Sequence, residues 1–433
     1  MQEYLITNAT LLSGKQVDIE IEDGKISAIT APGTSDWNAY ETDRRFDANG
    51  SLVTPPLTEP HIHLDATLTA GNPTWNRSGT LAEGIDIWAD RKASLSKSDV
   101  KSRAYQTIKW LVTHGVTHIR THVDTTEKTL TGLQGLLELR EELPNTIELQ
   151  IVAFPQDGIF TDEDHEDLFR EAINMGVDVV GGIPHNEYTY EDGIRDVKLA
   201  VELADANNLP VDLHIDETDD PQSRFTEVLA NEARKHGIGA RTTASHATAM
   251  HSYSDAYADK LLSLIAESNI SVITNPPDNS VLQGRYDSYP RRRGHTRIDQ
   301  LHDNDVTVGL GHDSVMDPWY HYGQGDPLDA AFILIHYAHM SGRDDVQIIW
   351  KMLTEANASI LNIDQHELKE GTSASLVVYD SPDPFNALRT QADRLLVMQN
   401  GEILAKTQPS ESTIFLDETE ESVTFHRDRE MDF

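Results

Sequence analysis

Short apolar runs rich in Val, Ile and Thr recur along the middle of the chain, each followed by a stretch whose apolar residues return at helical spacing. The runs read as strands at 51–63 (SLVTPPLTEPHIH), 116–124 (VTHIRTHVD), 147–156 (IELQIVAFPQ) and 177–185 (VDVVGGIPH). Four more follow at 209–216 (LPVDLHID), 240–247 (ARTTASHA), 270–276 (ISVITNP) and 306–313 (VTVGLGHD). Between them lie helical patterns such as 101–115 (KSRAYQTIKWLVTHG) and 196–208 (DVKLAVELADANN). Strands alternating with helices favour a parallel sheet, and eight such units over about 250 residues have the size of a (β/α)8 barrel. An open doubly wound sheet is the other arrangement of such units, but no glycine-rich phosphate loop follows the first strand.

The two ends follow a different pattern. Residues 4–30 alternate apolar and polar positions around Asp23-Gly24, and 373–380 and 392–407 repeat that style around Asn400-Gly401. Both read as antiparallel hairpins. The expected organisation is a small β-sandwich made by residues 1–55 and 365–433, beside a catalytic barrel spanning 56–364.

Composition narrows the chemistry. No run of eighteen apolar residues occurs in the 433, so no membrane-spanning helix is expected. The opening MQEYLITNATLLSG lacks a basic region followed by an apolar core, which predicts a cytoplasmic protein. The formal charge of −37 makes nucleic acid and anionic membrane poor partners. Acid-rich stretches such as TDEDHEDLFREA suit a surface of solvated carboxylates and suggest adaptation to high salt, which screens their repulsion. With no Cys in the chain, any transition-metal site must be built from His, Asp or Glu.

Residues 58–67, TEPHIHLDAT, carry His61 and His63 one residue apart at a strand end. With 19 histidines in 433 residues, about one His-x-His pair is expected by chance, so the pair needs company to mean anything. It has company. His214 ends the fifth strand, His246 the sixth and Asp313 the eighth, and in a barrel those ends meet on the face where active sites lie. His61, His63, His214 and Asp313 together offer three imidazoles and a carboxylate to one divalent cation, zinc or ferrous iron, which lowers the pKa of a water. Asp313 could also take a proton from that water, and His246 could orient it.

Other candidates are weaker from position alone. Glu217, in HIDETDD, could carry a proton to a substrate, but in so acidic a chain it reads equally as a surface carboxylate. Gln156 in AFPQDG offers an amide that could read the edge of a ring, and Trp319 in MDPWY could cover one. Each also suits plain packing. His122, Asp124 and His185 lie near strand ends as supporting or structural groups. His312 should point away from Asp313. The basic cluster at 289–297 (YPRRRGHTR) is better explained by internal salt bridges than by a phosphate site.

Seven blocks then add a resemblance: PHIHLDATLTAG, GTLAEGIDIWADRKA, IVAFPQDGI, DETDDPQSRF, ASHATAMHSY, LQGRYDSYPRRRG and GHDSVMDPWY. Together they resemble the bacterial-type cytosine deaminases of the amidohydrolase superfamily. The resemblance implies a metal-dependent barrel with a small β-sandwich, and hydrolytic attack on the amino-bearing carbon of a pyrimidine with release of ammonia. It implies that His61, His63, His214 and Asp313 hold the metal, Glu217 shuttles the proton and His246 orients the hydroxide. Gln156 matches the residue that hydrogen-bonds the base, and Trp319 a residue of the pocket wall.

One departure stands out: Ser314 occupies the position after Asp313 where those deaminases carry a second Asp. The expectation is a roomier, less acidic pocket that tolerates a 5-substituent such as that of 5-methylcytosine, unless Ser314 merely sits in its loop. Rival substrates are isoguanine, creatinine or a triazine such as an N-alkylammelide, since the same centre serves different rings. A catalytically dead barrel used for binding or assembly is disfavoured by the complete ligand set. A small nucleobase-like substrate and a homo-oligomer are expected.

Overall fold

The computed structural model describes residues 3–292, 294–364, 366–417 and 419–425. Eight parallel strands form the central sheet: Leu57–Ile62, Val116–Asp124, Glu148–Phe154, Val179–Val180, Val211–Ile215, Thr242–His246, Ser271–Thr274 and Val308–Leu310. They hydrogen-bond in chain order, and a parallel bridge from Ile62 to Asp313 brings the eighth strand back to the first. Asp313 N donates to His61 O across that seam at 2.9 Å. The result is the (β/α)8 barrel that the periodicity predicts.

The strands are sandwiched between the barrel interior and a ring of helices, and six of the eight are buried throughout. All nine residues of Val116–Asp124 are buried. This is why the strands lack the regular apolar–polar alternation of the chain ends. The helices turn one stripe inward: in Phe225–His236 the buried set includes Leu229, Ala230 and Ala233. That helix stops at Gly237, whose φ of +70° suits a left-handed cap, and Ile238 N closes back onto Ala233 O.

Two strands differ from the sequence expectation. The run 51–63 splits into Leu52–Thr54, which joins the terminal sheet, and Leu57–Ile62 of the barrel. Pro55 and Pro56 separate them because neither has an N–H to give a ladder. The run 177–185 contributes only Val179–Val180. Beyond it the chain passes so close to the third strand that a Cβ on Gly181 would lie 2.4 Å from Ala153 O.

The chain ends pair as expected. Strands Glu3–Leu11, Gln16–Glu22 and Lys25–Thr30 continue through Leu52–Thr54 into Leu376–Tyr379, Arg394–Gln399 and Glu402–Lys406, and Arg45–Asp47 pairs beside the first of these. Val377 and Val378 stand opposite Thr54 and Val53. Period two divides the faces of this sheet. Leu376 and Val378 join Tyr4, Ile6, Ile19 and Met398 in a separate core. Val377 and Tyr379 belong instead to the barrel core. Arg394, from the same sheet, pairs with Asp326 at the start of barrel helix Pro327–Tyr337, Nη1 to Oδ2 at 2.9 Å. No helix among the described residues is long and apolar enough to cross a membrane.

Candidate metal and catalytic site

The carboxyl ends of the barrel strands bring the predicted histidines together. His61 Nε2 lies 3.2 Å from His214 Nε2, and His63 Nε2 lies 3.0 Å from the same atom. Asp313 Oδ1 completes the group at 3.6 Å from His61 Nε2 and 3.4 Å from His63 Nε2. All four side chains are buried. His61 and His63 reach the same place because they are two residues apart on one extended segment.

The donor set fits a cation on three grounds. Three buried nitrogens and a carboxylate oxygen converge with no water-exposed partner, an arrangement that is costly unless something binds them. Burial lowers the pKa of all three imidazoles, His63 to about 3, so they are neutral and have lone pairs to offer. The His61 tautomer is also set from behind. Arg120 Nη1 donates to Asp212 Oδ2 at 2.9 Å, and Ser245 Oγ donates to Asp212 Oδ1 at 2.6 Å. Ser245 Oγ is thereby left to accept from His61 Nδ1 at 3.1 Å, which turns the unprotonated Nε2 toward the cluster.

Glu217 and His246 stand beside this group. His246 Nδ1 accepts from Asn279 Nδ2 at 3.1 Å, which puts the ring proton on Nε2, 3.8 Å from Asp313 Oδ2. Glu217 Oε1 lies 3.7 Å from His246 Nδ1. Glu217 has no cation beside it, and burial alone pushes its carboxyl up to about 8. A carboxyl in that range carries a proton at neutral pH and can give it up. His246 and Asp313 are held at φ of +70° and +72°, a left-handed conformation uncommon outside glycine. Each costs about 1–3 kcal/mol and is the kind of strain that collects at functional sites.

A cavity opens over these groups, lined by Phe154, Gln156, Leu81, Leu282, Ser314, Trp319 and Asp278 together with His63, His214, Glu217, His246 and Asp313. Gln156 follows the third strand and is buried. Trp319 fits against the helix Leu81–Lys92 because Gly84 has no side chain there: a Cβ would meet the indole at 2.4 Å. A larger cavity of about 690 Å³ lies between the terminal sheet and the barrel, bordered by Leu11, Val53 and Ala358, and holds none of the predicted site residues.

Ser314 lines the cavity with a carboxyl beside it, since its Oγ donates to Asp278 Oδ2 at 2.7 Å. A carboxyl arrives from the short helix after the seventh strand and occupies the neighbourhood of the serine. Asp278 was not singled out by sequence. The strand-end rule looks one or two residues past a strand, and Asp278 is four residues beyond Thr274. Ser245 and Asp212 were missed for another reason: they lie within strands, where small polar residues look like ordinary interior filling.

The remaining candidates sort by partner. His122 packs its ring 4.0 Å from that of His61, yet neither nitrogen has a hydrogen-bond partner. Asp124 accepts from Trp88 Nε1 at 2.9 Å, Lys92 Nζ at 3.0 Å and Thr126 N at 2.7 Å. His185 lies outside the ligand group, and burial lowers its pKa to about 4. His312 turns away as expected, Nδ1 donating to Ser314 O at 3.0 Å. In the basic cluster Arg292 pairs with Asp287 at 2.6 Å and Arg297 with Asp255 at 3.0 Å, while Arg293 is outside the described residues.

A family model described as amidohydrolase family matches residues 44–405. The crystal structure of 5-methylcytosine deaminase from Klebsiella pneumoniae, liganded with 5-fluorocytosine, superimposes with a TM-score of 0.90 at 44% identity, covering 94% of this chain and 98% of that one. An N-isopropylammelide isopropyl amidohydrolase from a Pseudomonas species is 28% identical over 374 residues, 84% of this chain and 88% of the relative. A pterin deaminase from Rhizobium rhizogenes is 28% identical over 404 residues, 91% of this chain and 89% of the relative.

Proposed function

Since the chain belongs to the amidohydrolase family and is a hydrolase of carbon–nitrogen bonds, we propose that it removes the exocyclic amino group of a cytosine-type pyrimidine, with 5-methylcytosine among its substrates. The observation that carries this reading is the pocket: Gln156, Glu217, His246 and Ser314 surround the ligand cluster in a chain 44% identical to a 5-methylcytosine deaminase.

His61, His63, His214 and Asp313 would hold one divalent cation, zinc or iron, which supplies Lewis acidity and a water of lowered pKa. The chain's own groups do the rest. Gln156 presents an amide whose oxygen and N–H can pair with a ring carbonyl and its neighbouring nitrogen. Glu217, protonated below about 8 and close to His246, carries a proton toward the ring nitrogen and the departing amine. His246, with Nε2 3.8 Å from Asp313 Oδ2, stands where it can orient a water beside that carboxylate. Phe154, Leu282 and Trp319 enclose a flat ring and limit bulk water. Ser314 leaves room that a larger side chain would take from a 5-substituent.

The test is ammonia release from cytosine and 5-methylcytosine, in high salt, by protein loaded separately with zinc and with ferrous iron. Turnover of both is expected. Stoichiometric metal with no ammonia from either would overturn the substrate. A second reading draws on the two relatives at 28% identity, whose names specify N-isopropylammelide and pterin. Those rings are the next to assay.

A further inference from the structure

The third and seventh strands stand four apart in an eight-stranded barrel, so the segments that follow them face each other across its mouth. Gln156 comes from one side and Asp278 from the other, and both line the same cavity. Asp278 is 2% exposed. Its Oδ2 accepts from Ser314 Oγ at 2.7 Å, while Oδ1 has no partner among the described residues. Burial first, and then the neighbouring Asp317 and Glu217 carboxyls, push the Asp278 pKa well above the usual range. Glu217 and Asp313 line the same cavity. This side of the cavity is therefore crowded with carboxyl oxygens, and the group that would relieve it is an N–H donor.

We propose that Asp278 is a specificity-determining residue whose free Oδ1 accepts an N–H from the exocyclic amino group being displaced. The assignment rests on the substrate reading above and deepens it. With the amide edge of the ring on Gln156, the amino edge lies toward Asp278 and Ser314. Asp278 thus selects rings whose reacting carbon carries an N–H-bearing nitrogen, while Ser314 both anchors the carboxyl and stays small. The acid beside the 5-position comes from a different segment, which separates recognition of the amine from room for a substituent.

The experiment compares two pyridones by calorimetry on the metal-loaded enzyme. 4-Amino-2-pyridone keeps the carbonyl edge and the amino group, and 2-pyridone lacks only the amino group. Wild-type protein should bind the amino compound about tenfold more tightly, the range of one buried hydrogen bond. In Asp278→Ala and Asp278→Leu that preference should vanish, with 2-pyridone affinity changed by less than about threefold. Two variants of different volume guard against one failing to fold, and a melting curve checks each. Equal weakening of both compounds marks a merely structural residue and overturns the proposal. So does a retained preference in variants of an enzyme that deaminates cytosine. Wild-type protein that releases no ammonia from either cytosine or 5-methylcytosine rejects the substrate reading and takes this assignment with it.

Discussion

Two buried acidic groups sit at strand ends of the same barrel and behave in opposite ways. At the second strand, burial pushes the Asp124 carboxyl up, but Lys92 and the Thr126 hydroxyl and N–H more than reverse this and leave it below its ordinary value. Lys92 is shared with Asp157, so one cation stands between two carboxylates. At the fifth strand Glu217 is equally buried and has no such cation, and its carboxyl rises to about 8. Fold position is alike in the two places. What differs is the inventory of partners: a satisfied acid holds structure, and an unsatisfied one is available for proton transfer.

The contrast predicts which property each substitution destroys. Removing the metal from the His61, His63, His214 and Asp313 cluster with a chelator should abolish ammonia release, with recovery on adding zinc or ferrous iron. Glu217→Gln should lower kcat about a thousandfold, within the span of general acid–base contributions, and leave the melting temperature unchanged or higher. Asp124→Ala should do the reverse. It leaves Lys92 and Trp88 short of a buried partner, so about 3 kcal/mol of stability is lost while kcat on the folded protein changes severalfold at most. Equal losses of activity in the two variants would break the distinction.

The pH dependence of stability gives the same comparison a sign. Glu217 has its folded pKa raised to about 8. Its contribution is full below the unfolded value near 4.5 and is lost as pH rises toward 8, because the folded state retains the proton longer. Asp124 has its folded pKa depressed. Its contribution is present above the unfolded value of about 3.8 and disappears as pH falls through the folded one. Melting curves of wild type against Glu217→Gln should therefore diverge in favour of the variant as pH rises from 5 to 8. Against Asp124→Ala, wild type should lose its advantage only in acid.

Partner inventory is also where sequence stops being legible. The eight barrel strands, the paired ends and the convergence of His61, His63, His214, His246 and Asp313 could be read from periodicity and strand-end position, because main-chain geometry alone decides them. Asp124 and Glu217 could not be told apart that way: Lys92 is 32 residues before Asp124 and reaches it only through the helix Leu81–Lys92. The chain Arg120–Asp212–Ser245–His61 likewise draws on four different strands. Breaking it tests an intermediate case. Ser245→Ala should weaken metal affinity by about tenfold or more through loss of the His61 tautomer, with the melting temperature of metal-loaded protein little changed. Competition against a chelating dye reads it, and unaltered affinity would leave Ser245 as packing.

The smallest expected effect bears on Ser314, where position predicted a less acidic pocket and the structure supplies Asp278. Ser314→Asp places a second carboxyl where Oγ now donates at 2.7 Å. Two carboxyls cannot share that contact unless one is protonated, and burial already favours the neutral form on Asp278. The added carboxyl takes up the room of a 5-methyl group, whose fit in an apolar site is worth about tenfold. The ratio of 5-methylcytosine to cytosine turnover should fall by about that factor, with cytosine turnover itself moving less. If the ratio holds while both rates drop together, Ser314 acts through Asp278 and the charge of the pair, and the room beside it has no part in choosing the ring.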